Sequence, residues 1–233
     1  MIQLINKFFV FLFLLIPLSL ISGPAVPDLT ITFGGIFGLI LISLNYKNEN
    51  IFKNKFIIIS FIFWLGLILI SFFAINKLKS LQDSIIFLRY LLIPICCYFL
   101  FFKKKEIISY LLLIVFILVV LVSLDTLFQF FNYSSKNGFG KDLLGFKSDW
   151  YGRLTGPFGD ELIPGSYVSK FGLIGFLYLL INEKLSKNKV LQILYLSIVL
   201  VVCFVSGERM AFAIFSLALL ILFFLLQKHR FVI

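Results

Sequence analysis

Histidine occurs once in this chain, as His229, and cysteine three times, as Cys96, Cys97 and Cys203. No two cysteines have CxxC spacing, all three lie in apolar runs, and the histidine is remote from them. Neither a metal site nor a disulfide framework is expected. Thiols behaving as small buried apolar groups are the plain reading. The chain also lacks GxSxG, a Walker loop, HExxH and GxGxxG. These absences argue against the common hydrolase, nucleotide-binding, zinc-protease and dinucleotide-binding enzymes, and no cofactor or metal is expected.

What the chain has is apolar sequence. Of its 233 residues 61% are hydrophobic, with a mean hydropathy of +1.08. A soluble domain is about half apolar. Here the apolar residues come in long unbroken runs, and a helix needs about 20 of them to cross a bilayer. A soluble core could not hide so many runs, so lipid is the expected solvent for much of the surface.

The runs predict eight spans: Phe8–Ile21, Leu29–Leu44, Phe56–Ala74, Ser84–Phe102, Ile107–Leu124, Gly165–Ile181, Val190–Val205 and Ala211–Leu226. The expected fold is an all-α, polytopic transmembrane helical bundle of about eight helices. It would form a single transmembrane domain over 1–233, with a polar outer loop at about 125–164. The first span has a rival reading. Lys7, an apolar stretch and the small residues from Ser22 to Ala25 resemble a signal peptide. An uncleaved anchor is preferred, because further spans follow at once.

The formal net charge is +10. Such a charge raises nucleic acid as a partner for a soluble protein. Here the basic residues sit mostly in short loops between apolar runs, the pattern of charge that sets topology, so no nucleic-acid partner is expected. With the N-terminus inside, the cytoplasmic segments carry Lys7, then Lys47, Lys53 and Lys55, then Lys103 to Lys105, then Lys184, Lys187 and Lys189, then Lys228 and Arg230. Both termini are therefore expected in the cytoplasm. The outer segments carry Lys77 and Lys79, and also Lys136, Lys141 and Lys147 in the long loop, where charge counts less.

The arginines do not follow the lysines. Arg89, Arg153 and Arg209 all fall toward the outer face. Arg89 lies five residues into the fourth span, about 7–8 Å deep at ~1.5 Å per residue, and snorkelling to the headgroups is one reading. Basic residues on the outer side run against topology preference, which invites a functional reading. The long loop also carries Phe128, Phe130, Phe131, Phe139, Phe146, Trp150, Tyr151 and Phe158. Aromatics at this density suit an interfacial anchor or a surface that touches substrate.

Two stretches hold the residues most able to do chemistry: Tyr151 to Lys170, and Ser206 to Phe212. In the first, Gly152, Gly156 and Gly159 permit tight turns, and Arg153 presents a planar charged fork suited to phosphate oxygens. Asp160 and Glu161 precede Pro164, a favoured first-turn residue. They would either complement the helix dipole or pair with Arg153 or Lys170, or contact sugar hydroxyls. Lys170, five residues into the sixth span, either snorkels or faces a polar cavity. In the second stretch Glu208 and Arg209 are adjacent and so need not share a helix face. They lie in a solvated turn, or one of them points at a ligand. Together these residues suit an anionic, lipid-bearing ligand presented from the outer leaflet, with a diphosphate as the natural match.

At these stretches the chain resembles the O-antigen ligase and polymerase family of bacterial inner-membrane proteins. The resemblance is carried by Arg153 through Ser166 (RLTGPFGDELIPGS), by Ser206 through Phe212 (SGERMAF), and by Gly23 through Asp28 (GPAVPD). It covers most of this chain, which corresponds to the N-terminal portion of a typical member. The resemblance implies a multi-pass protein of the bacterial inner membrane, acting at the periplasmic face without metal or cofactor in lipopolysaccharide biosynthesis. Its donor would be an undecaprenyl-diphosphate-linked glycan, and its acceptor lipid A–core or another glycan. Arg153 and Arg209 match the family's diphosphate-holding arginines, and Arg89 is a further candidate. In the family a later periplasmic loop supplies further catalytic residues, including a histidine in ligases; that loop would follow the eighth span. His229, on the cytoplasmic side, cannot replace it, and Glu208 is the local candidate for a general base. Two other classes stay open: a non-catalytic or truncated membrane protein, and a transporter or flippase component. The last would show interrupted spans in two corresponding halves. Pro94 interrupts the fourth span, but no matching half is evident.

Overall fold

The computed structural model describes residues 2–45, 54–101, 105–132 and 140–230. Lys47, Lys53, Lys103, Lys104, Lys136 and Phe139 lie outside the described residues. So do the side chains of Lys105, Lys228, His229 and Arg230. Among the described residues the chain is helical, without β-strands. Its α-helices are α1 (Ile2–Ser19), α2 (Ala25–Asn45), α3 (Lys55–Ser71), α4 (Lys77–Phe101), α5 (Lys105–Phe131), α6 (Pro164–Ile181), α7 (Lys189–Val205) and α8 (Arg209–Arg230). One turn of 3₁₀ helix, Gly156–Phe158, precedes α6.

Four of these helices are long and apolar enough to cross a membrane: Ala25–Leu44, Lys77–Tyr98, Glu106–Phe131 and Pro164–Ile181. Gln3–Ser19, Lys55–Ser71, Lys189–Val205 and Arg209–Phe224 are apolar but shorter. The outward faces agree with a lipid solvent. In α3 the buried residues are Ser60 and Ser71, while Ile59, Ile62, Leu69 and Ile70 are exposed. In water that distribution would cost free energy at every turn. Against hydrocarbon it removes the serine hydroxyls from lipid and leaves the aliphatic side chains there.

Several boundaries differ from expectation. α1 begins at Ile2 rather than Phe8, α2 at Ala25 rather than Leu29, and α4 at Lys77 rather than Ser84. The fifth helix does not end at Leu124 but runs to Phe131, so the long loop does not begin at Asp125. Asp125, Thr126 and Gln129 look like loop residues by hydropathy. They are instead buried and hydrogen-bonded inside the protein, and no glycine or proline interrupts the helix before Asn132.

The chain divides into two compact units, one of residues 1–20 and 24–108, the other of residues 21–23 and 109–233. In the first, α2 packs on α1 and α4, and α3 packs on α4. A Cβ on Gly38 would collide with Cys96, and one on Gly34 would come within 2.7 Å of Ile93. Small residues here let α2 and α4 approach closely, the usual device where no hydrophobic effect drives helices together. Phe9, Leu41 and Cys96 form the buried centre of this unit.

In the second unit α6, α7 and α8 pack on one another in all three pairs. Gly172 of α6 leaves room for Val199 of α7 and Phe215 of α8. The Tyr195 hydroxyl of α7 donates to the Gly172 carbonyl at 3.0 Å. Phe116 of α5 stacks on Tyr195 with ring centroids 5.3 Å apart.

Candidate functional site

The site is built in the second unit, on the last turns of α5. Gln129 is fully buried. Its side-chain oxygen accepts the backbone N–H groups of Thr155 (3.1 Å) and Gly156 (2.9 Å). Its amide nitrogen donates to the Thr155 hydroxyl at 3.0 Å. Gly156 has φ +50°, and a Cβ there would come within 2.7 Å of the Thr126 hydroxyl oxygen. The loop is thus clamped at Thr155–Gly156 onto one face of α5. One turn earlier, Asp125 accepts the Leu143 N–H at 2.8 Å. Asp142 closes the turn from 142 to 146 by accepting the Phe146 N–H at 2.6 Å, and Lys141 and Lys147 bridge its base. Further on, the Ser148 hydroxyl donates to the Arg153 carbonyl at 2.5 Å.

The two chemically suggestive stretches meet here. The Leu154 N–H donates to the Ser206 carbonyl at 3.2 Å. Gly207 has φ +78°, and a Cβ there would strike the Gly152 carbonyl oxygen and lie 3.2 Å from the Arg153 Cα. Only glycine fits, on both conformational and steric grounds. This contact sets the backbone of Arg153 directly on the turn that carries Glu208 and Arg209.

Glu208 and Arg209 diverge. Glu208 is only 9% exposed, so a fully solvated turn is not what forms. Its Oε1 accepts the Ser166 N–H at 3.1 Å, and its Oε2 accepts the Ser166 hydroxyl. Ser166 is the third residue of α6, so Glu208 satisfies one of that helix's unpaired N–H groups and places a carboxylate at the positive end of its dipole. Asp160 and Glu161 do not hold this position. Asp160 is exposed and Glu161 half-buried, and neither forms an ion pair with Arg153 or Lys170 among the described residues. Arg209, the first residue of α8, is exposed, as is Lys170 on α6.

Arg153 is half-buried. One terminal nitrogen donates to the Leu162 carbonyl at 3.1 Å, while its buried Nε has no hydrogen-bond partner among the described residues. Arg153, Lys170 and Arg209 make no ion pair among the described residues. The second unit thus carries cations not paired with a carboxylate among the described residues.

Arg89 belongs to the first unit and is held differently. Its guanidinium pairs with Asp28 at 2.9 Å and donates to the Thr32 hydroxyl at 3.0 Å and the Tyr90 hydroxyl at 2.9 Å. It also lies 4.9 Å from the Tyr90 ring centroid, a cation–π distance. Its charge is therefore answered within the protein. Asp28 ends the stretch Gly23 to Asp28, so that stretch supplies the counter-ion to Arg89, a pairing its sequence position did not announce.

Sequence reasoning passed over Gln129, Asp125 and Ser166. A signal existed for the first two, because Asp125 and Gln129 are four residues apart and so share a helix face. No comparable signal marked Ser166. Among the described residues no cluster of three or more histidine, cysteine or carboxylate side chains is placed to hold a metal.

Fold and site together define a helical protein with several helices able to span a membrane, and with a polar loop clamped across the ends of α5, α6 and α8. No protein-family model, curated protein or solved structure matches the chain.

Proposed function

We propose that the chain is an O-antigen ligase- or polymerase-like protein of the bacterial inner membrane. It handles a glycan on undecaprenyl diphosphate at the periplasmic face, in cell-surface polysaccharide biosynthesis. The observation that carries this reading is the packing of the Arg153 backbone on the turn of Glu208 and Arg209. Two stretches that singly resemble the family become one surface, with cations that have no counter-ion among the described residues. An arginine fork suits diphosphate oxygens, and charge-assisted hydrogen bonds to it are the strong ones.

In the reaction, an acceptor hydroxyl of lipid A–core or of a second glycan attacks the anomeric carbon. The bond from that carbon to the diphosphate oxygen breaks, and the lipid diphosphate leaves with the electron pair. Arg153 and Arg209 stabilise the growing negative charge, the electrostatic contribution that is usually largest in such transfers. Glu208 is the local carboxylate able to take the acceptor's proton. Because Ser166 engages both its oxygens, base action requires one of them to be released.

The test is binding of undecaprenyl diphosphate to the purified chain in detergent, with the monophosphate as comparison. Arg153→Ala and Arg209→Ala should each weaken diphosphate binding about tenfold, the scale of one hydrogen bond to a charged group. Full-strength binding by both variants would remove the basis of the reading.

A further inference from the structure

In the first unit, independently of the proposed function, the ends of α3 and α4 line an open groove of about 480 Å³. Phe63 and Leu67 of α3 and Phe87 of α4 give it an apolar lining. Ser84 also lines it, but its hydroxyl is turned back to the Ser80 carbonyl at 2.8 Å and the Leu67 carbonyl at 3.3 Å. The nearby Trp64 indole N–H is likewise taken by the Ser84 carbonyl at 2.9 Å. This part of the lining therefore offers carbon surface and few free polar groups.

The rest of the lining is more polar. Asn76, Lys79, Ser80 and Asp83 belong to it. Lys79 and Asp83 are four residues apart on α4, close enough to pair along a helix, yet they form no ion pair with each other or with any described residue. Lysine preceding the carboxylate is the less favourable order for such a pair. One cation and one anion therefore open onto the same groove, about 6 Å apart along the axis at ~1.5 Å per residue.

The turn that leads into Asn76 is apolar and open. Phe73 is 90% and Ile75 108% exposed, and Leu78 is exposed on the first turn of α4. Such a turn is stable where hydrocarbon meets headgroups, with Lys77 and Lys79 reaching the polar layer. Since α4 is itself long and apolar enough to span a membrane, its first turns are where a headgroup would sit.

We propose that this groove is a binding site for a diacyl phospholipid whose headgroup carries both a phosphate and a primary ammonium. Lys79 meets the phosphate, Asp83 accepts from the ammonium, and an acyl chain lies along Phe63, Leu67 and Phe87. The charge pattern selects among lipids. An anionic lipid lacking the ammonium leaves Asp83 unpaired beside a negative headgroup. A trimethylated amine has no N–H to give Asp83.

The experiment is native mass spectrometry of the full chain, released from bilayers holding equal amounts of phosphatidylethanolamine, phosphatidylcholine and phosphatidylglycerol. The wild-type chain should retain one ethanolamine lipid about fivefold over each of the others, the upper range for one exposed ion pair. Asp83→Asn should abolish the preference over phosphatidylglycerol, and Lys79→Gln should lower retention of the ethanolamine lipid. Both replaced charges are exposed and make no ion pair among the described residues, so melting and far-ultraviolet circular dichroism should match wild type. Equal retention of the three lipids by wild type, or an unchanged preference in Asp83→Asn, overturns the proposal.

Discussion

Glu208 receives both the backbone N–H and the hydroxyl of Ser166, a residue 42 positions earlier in the chain. The start of α6 is thereby tied to the turn before α8. Replacing Glu208 with alanine strands a backbone donor at a helix start. The expected loss is about 0.5–2 kcal/mol, the range for removing a helix cap. Glutamine keeps one acceptor, for the Ser166 N–H, but its amide nitrogen cannot accept the Ser166 hydroxyl, which must turn to accept from it; it also gives up the charge at the dipole, worth ~0.3–1 kcal/mol. Thermal melting in detergent should therefore rank wild type, Glu208→Gln, Glu208→Ala in falling order. Equal melting of all three would mean that this contact contributes nothing.

Gly207 and Gly66 offer a paired comparison. Gly207→Ala must accept φ +78° and a collision with the Gly152 carbonyl. The conformation alone costs roughly 1–2 kcal/mol, and the clash adds to it. The loop should lift from the turn, seen as faster cleavage by protease between residues 140 and 163. Gly66 lies in α3 with nothing within 4 Å of an added Cβ. Gly66→Ala should leave cleavage unchanged and raise stability by about 0.5–1 kcal/mol.

Gln129 accepts two buried N–H groups at once. Gln129→Leu keeps the bulk and removes the acceptor, leaving both donors unsatisfied. A loss of roughly 2–4 kcal/mol is expected, at ~1–3 kcal/mol for each stranded donor with partial relaxation. Glutamate at this position keeps the acceptor but loses the donation to Thr155, and should fall between leucine and wild type in melting.

The Asp28–Arg89 pair should be worth little by itself. The side chains are 53% and 22% exposed, and an exposed pair contributes below about 1 kcal/mol. A double-mutant cycle of Asp28→Asn and Arg89→Gln, read by melting, should give a coupling under that value. A larger coupling would show that the pair is shielded from water more than its exposure indicates.

Much of the fold was legible in the chain. The starts of α6, α7 and α8 fall within two residues of expectation, because proline, asparagine and glycine punctuate the apolar runs there. The end of α5 was not legible. Asp125 and Gln129 carry the polarity of a loop and the position of a helix face, and only burial decides between them. The division of labour between Glu208 and Arg209 was half legible: adjacency said that they need not share a face, but not which turns inward.

By itself, then, the sequence determined that the chain is helical, that its helices include some long and apolar enough to cross a membrane, and which residues could bear charge near a site. Those properties follow from local hydrogen bonding and from hydropathy, which are carried by neighbouring residues. Tertiary structure alone decided that Gly207 seats against Arg153, that Glu208 caps α6, that Gln129 clamps the loop, and that Asp28 answers Arg89. Each of these depends on one side chain or carbonyl meeting a group 26 to 61 residues away or on another helix. Such meetings have no period in the chain. They exist only once the helices are packed and the loop's backbone groups must find partners.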